Sequence, residues 1–156
     1  MTPLDICLLQ WSTYNTRMQK VFDSLDDTRY SQPIGPGLNS PSWILGHLVE
    51  TEDNLLELFG IREKLFPDLK KIYHHERGTN QTGLLPKGEL IKRWNAVSGE
   101  LDKAFKSWSE SDWLGKHNAV SEEDFKKEPH RNKLNVMLSR VAHKASHLGQ
   151  VAMMKD

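Results

Sequence analysis

His143 and His147 stand four residues apart in a segment whose apolar residues recur with helical spacing. On a helix that spacing puts both imidazoles on the same side, one turn apart. Two ring nitrogens so placed can meet one ion at the ~2.0–2.1 Å that zinc prefers. Gln150 continues the same stripe. At ~100° per residue the pair lies well off the centre of the segment's apolar arc, toward Arg140 and Lys144. These histidines are therefore not simple core fillers, and two readings stand: a wet surface stripe, or the wall of a cleft at the edge of a bundle. His47 sits at the border of another helical segment's apolar arc, beside Thr51, Asn54 and Leu58. Two helices that each carry histidine at the edge of the core face supply the geometry a three-histidine site needs. Three neutral imidazoles and one open position define a site of catalytic type. Glu50, one turn beyond His47, is a carboxylate that could orient His47 or act as a base.

Other metal and nucleophile chemistries find less support. Paired-iron carboxylate bundles need Glu-x-x-His on two helices, and this chain has no such tetrad and no His-Glu-x-x-His. His74, His75, His117 and His130 fall in connecting segments, where solvent exposure is the expectation. Cys7 is the only cysteine, so no intrachain disulfide can form and a reducing compartment is the simplest reading. It lies near the start of a helix with no recognisable partner and is a poor nucleophile.

Four helical patterns must position the histidines. The first spans Pro3 to Asp27, with Leu4, Leu8, Trp11, Asn15, Met18, Phe22 and Leu25 on one face. Asn15 is the polar break in that seam. The second opens at Ser40-Pro41, a capping residue followed by proline, runs through Ile44, Leu48, Leu55 and Phe59, and stops at Gly60. Asp53 and Glu57 mark its expected wet side. The third runs from Lys87 to Trp108, with Gly99 a liability of ~1 kcal/mol against alanine. The fourth runs from Asn132 to Met154, with Leu134, Met137, Leu138, Val141, Ala145, Leu148 and Ala152 as its expected core face. Small residues at 142, 145, 149 and 152 would let another helix approach closely. No alternating run competes, so the expected architecture is all-α. Residues 61–86 form a connection long enough to return along the whole bundle, which would leave the second and third helices parallel. Residues 109–131 form a second long connection that carries Trp113, His117 and Phe125.

Composition bounds the partners. The chain has 156 residues, 37% hydrophobic and 27% charged, with 21 basic and 21 acidic side chains. A zero net charge is not the footprint of a nucleic-acid binder. No run approaches the ~20 apolar residues that span a bilayer. Asp5 and Gln10 interrupt the run that a secretion signal would need. The expected location is cytoplasmic, with no nucleic acid or membrane among the partners.

Two segments carry a family resemblance. Asn39-Ser40-Pro41-Ser42-Trp43-Ile44-Leu45-Gly46-His47-Leu48 resembles the start of the second helix in the DinB/YfiT-like superfamily. His143-Lys144-Ala145-Ser146-His147-Leu148-Gly149-Gln150 resembles its last helix, whose hallmark is His-x-x-x-His-x-Gly-Gln. The resemblance implies one four-helix bundle domain over residues 1–156, up-down-down-up, with a long crossover between helices two and three. It implies one divalent metal ion, zinc or nickel, held by His47, His143 and His147. Relatives include thiol transferases and isomerases that use bacillithiol or mycothiol, and they are often dimers. The expected function is a divalent-metal-dependent enzyme acting on a small-molecule substrate, a transferase using a low-molecular-weight thiol, and a homodimer. The alternatives are a metal-dependent hydrolase, or a stress-related binding or scaffold bundle with a structural or vestigial metal site. The open coordination position is expected to face a cleft lined partly by the two long connections, with Trp43 and Asn15 in its wall.

Overall fold

The computed structural model describes residues 1–74 and 82–154. In chain order these form α1 (Pro3–Ser24), α2 (Asp27–Ser31), α3 (Pro41–Leu58), a 3₁₀ turn (Pro67–Leu69) and α4 (Lys70–Tyr73). Then come α5 (Lys87–Ser107), α6 (Glu110–Leu114), α7 (Glu122–Lys127) and α8 (Lys133–Ala152). The fold is all-α. Among the described residues no strand forms, and the isolated bridge is Lys116 with Asn132. The long helices α1, α3, α5 and α8 coincide with the four patterns in the sequence. The short helices inside the connections do not show there, because four to six residues are too few to display a period. For α2, α6 and α7 the signal is the cap instead, as at Ser109, which accepts from the Asp112 N–H while the Asp112 carboxylate accepts from the Ser109 N–H.

The ends of the long helices follow local chemistry. Thr2 accepts from the Asp5 N–H, and the Asp5 carboxylate accepts from the Thr2 N–H, a reciprocal box that starts α1. Ser40 Oγ accepts from the Trp43 N–H and starts α3. Gly60 ends α3 at φ +70°, which a side chain would resist. Its N–H meets the Glu57 carbonyl at 3.1 Å, and the Ile61 N–H meets the Leu56 carbonyl at 2.8 Å.

Packing pairs α1 with α8 and α3 with α5. Phe59 at the end of α3 lies 6.1 Å from Phe105 and 5.6 Å from Trp108, ring to ring, at the end of α5. At the other end, Lys87 Nζ donates to the Leu25 carbonyl at 2.8 Å and stands over the Tyr30 ring. The start of α5 thus meets the end of α1. Trp113, from the second long connection, is fully buried against Phe105 and Trp108 and extends the core.

Two expected faces are corrected. Asp53, read as wet, is 1% exposed, and its carboxylate accepts from the Leu65 and Phe66 N–H groups at 2.8 and 2.9 Å. It ties the first long connection to α3. On α8 the buried positions are Met137, Val141, Lys144 and Val151, while Leu138 is 38% exposed and Ala152 lies outside the core. Lys144, read on the polar side, is fully buried. The buried residues centre about 55° from the arc that its apolar residues alone would choose, at ~100° per residue. Among the described residues no helix is long and apolar enough to cross a membrane.

Candidate metal centre

His47 comes from the second turn of α3, and His143 and His147 from successive turns of α8. The rotation of α8 brings them together. His143 Nε2 stands 3.2 Å from His47 Nε2 and 3.0 Å from His147 Nε2. The three ligand atoms all lie within 4.8 Å of one another. Of the α8 pair, His147 lines a cavity, and His143 meets His147 through Nε2. All three residues are partly buried.

Outer contacts fix which nitrogen of the His47 and His147 rings faces inward. His47 Nδ1–H donates to the Tyr73 carbonyl at 3.1 Å. His147 Nδ1–H donates to Gln150 Oε1 at 2.9 Å. Each of these rings, when neutral, therefore presents an Nε2 lone pair to the shared point. A single N–H on His143 Nε2 can serve only one of them, so one lone pair would be left facing a nitrogen without a proton. His143 Nδ1 is buried and has no partner among the described residues. A cation between the three nitrogens resolves this. Tetrahedral ligands at ~2.0–2.1 Å stand about 3.3–3.4 Å apart, close to the two spacings that His143 makes. The donor set fits a divalent ion that accepts imidazole nitrogen, and the outer hydrogen bonds are those that orient metal-bound histidines.

Electrostatics agree. Burial, then the neighbouring His147 and His47, pushes the His143 imidazole down to about 3. Burial also holds His47 and His147 below the ordinary histidine range. Neutral imidazoles are what a metal requires. Arg140, one turn before His143, adds positive potential in the same direction.

Trp43 stacks on His47 at 4.8 Å and an interplanar angle of 11°. Both line a cavity of about 280 Å³ together with Ile34, Leu38, Asn39, His147 and Gln150. The other walls come from the segment between α2 and α3, not from the two long connections. Ile34 and Leu38 carry no pattern that marks them in advance. Asn15 does not line this cavity. Its Oδ1 accepts a hydrogen bond from Lys144 Nζ.

Glu50 is 3% exposed; its carboxylate accepts from Asn54 Nδ2 at 2.8 Å and lies 3.4 Å from His74 Nδ1. The contact that orients His47 is the Tyr73 carbonyl, a backbone group with no side-chain signature. Gly46 makes it reachable: a Cβ there would stand 2.1 Å from the Tyr73 ring. The Tyr73 hydroxyl in turn accepts from the Leu85 N–H at 2.8 Å. His74 is exposed as expected, and His75 lies outside the described residues.

The family model of the DinB superfamily matches residues 10–151. No curated protein matches the chain.

Proposed function

The chain belongs to the DinB superfamily, and on that premise we propose that it is a divalent-metal-dependent enzyme acting on a small molecule. His47, His143 and His147 are its ligands, and a low-molecular-weight thiol is the co-substrate. One observation carries this reading: three Nε2 atoms converge at the edge of a cavity of about 280 Å³. No fourth His, Cys, Asp or Glu joins them among the described residues. A structural site would be closed by four protein ligands. A bound ion, zinc or nickel first among candidates, supplies a Lewis acid that lowers the pKa of a thiol at the open position.

The chain's own residues do the positioning. Tyr73 and Gln150 hold two imidazoles in the tautomer that aims Nε2 inward. Trp43 covers one face of His47 and gives the cavity an apolar wall, with Ile34 and Leu38 opposite in chemistry to the Asn39 and Gln150 amides. Hydrolysis by metal-bound water is the alternative, and a three-histidine site would need no carboxylate base for it. Glu50, engaged with Asn54 and His74, is not held toward the three imidazoles as such a base.

The same reading takes the chain as one domain in up-down-down-up order. Support comes from the meeting of the α3 and α5 ends at Phe59 and Phe105, and from Lys87 against Leu25. It takes the assembly as a homodimer, supported by exposed Ile6, Leu9 and Leu138.

The test is a panel of low-molecular-weight thiols and electrophiles, run with zinc- and nickel-loaded protein. Thiol consumption should be accelerated, should depend on the metal, and should collapse with His47→Ala. The acid limb of the pH–rate profile should fall below the ~8.5 of a free thiol. No acceleration with any pair would remove the thiol-transfer reading and leave the scaffold alternative.

A further inference from the structure

Lys144 sits at the centre of the buried face of α8, fully buried. Its Nζ stands 2.8 Å from Glu52 Oε1 of α3, with side-chain exposures of 1% and 2%. The same ammonium donates to Asn15 of α1 and lies 3.2 Å from the centroid of the Trp11 ring. Trp11 Nε1 donates to Asp102 of α5 at 3.1 Å. One cation is therefore tied to α1 and α3 directly, and to α5 through Trp11.

Stability does not account for such a pair. Taking two charges out of water is expensive, and apolar replacement of a buried pair is often neutral or stabilising. What the pair supplies is orientation. The apolar residues of α8 centre on Leu134, Val141, Ala145 and Ala152. With that arc against the core, His143 would fall about 180° away at ~100° per residue, facing solvent. The observed helix gives up part of that burial, leaving Leu138 at 38% exposure. It takes in Lys144 instead, and the turn brings His143 and His147 to His47.

We propose that the buried Lys144–Glu52 pair is a positioning device that sets the rotation of α8 and so aims His143 and His147 at His47. Glu52 is the anchor, since α3 also carries His47, less than two turns away. Pair and ligand set thus share the same two helices. Asn15 acts in the same device, which gives the polar break in the α1 seam its role. The consequence for metal affinity rests on the metal-centre reading; the rotation itself does not.

Glu52→Leu and the milder Glu52→Gln test this, with Val97→Ala in α5 as a control that costs stability away from the pair. Two quantities are read on each folded variant. One is the set of ring-proton contacts between His47 and His143 by NMR in metal-free protein. The other is zinc affinity by calorimetry. Breaking the pair should remove the ring contacts and weaken zinc binding about tenfold or more, the scale of losing an outer support of a metal ligand. Val97→Ala should lower the urea midpoint and leave both readouts intact. Folded Glu52→Gln or Glu52→Leu protein that keeps the ring contacts overturns the proposal. Wild-type protein that binds no zinc, yet whose ring contacts vanish with Glu52→Leu, keeps the positioning role and removes the metal reading.

Discussion

The most informative single residue is His143. Its Nε2 is the meeting point of the other two Nε2 atoms, and its Nδ1 is buried without a partner among the described residues. Held down to about 3 by burial and by its neighbours, it stays neutral in the fold over the range in which a free imidazole, at ~6.5, takes up a proton. The unfolded chain therefore binds more protons than the folded one as pH falls. The stability linked to His143, and in the same direction to His47 and His147, is present above pH ~6.5 and is lost as pH falls toward the folded values. Metal-free protein should show a lower urea midpoint at pH 5 than at pH 7. His143→Ala should flatten that difference. A midpoint that rises on acidification would contradict the assigned neutral imidazoles.

Among the elements, two glycines separate packing from propensity. Gly46 in α3 faces the Tyr73 ring, and a Cβ would overlap it at 2.1 Å. Gly46→Ala should cost ~1–3 kcal/mol by overpacking, and should weaken zinc binding because the Tyr73 carbonyl on His47 must move. Gly99 in α5 has nothing within 4 Å of an added Cβ. Gly99→Ala should add up to ~1 kcal/mol by helix propensity alone, with zinc affinity unchanged. Paired urea melts and titrations check both. The same elements show what a sequence can reveal. Periodicity and caps locate α1, α3, α5 and α8, because a helix is specified by residues close along the chain. The rotation of α8 is not legible that way: it depends on Glu52, a distant partner whose acid label reads as solvent-facing. Asp53 misleads for the same reason, since its partners are the N–H groups of Leu65 and Phe66. The three histidines are legible by type and spacing. The Tyr73 carbonyl and the walls at Ile34 and Leu38 are not, because they reach the site through tertiary folding.

At the scale of the whole molecule, one core joins residues from α1, α3, α5 and α8, and the histidines lie at its edge rather than within it. The apolar core holds the helices together without the metal. Removing a ligand should therefore cost binding and leave the bundle folded. Calorimetric titration of zinc into metal-free wild-type protein and the His143→Ala/His147→Ala double variant, with circular-dichroism melts of both, tests the central claim. The account predicts one ion per wild-type chain, no measurable binding by the double variant, and a cooperative helical melt for each. Stoichiometric zinc retained by the folded double variant would contradict it.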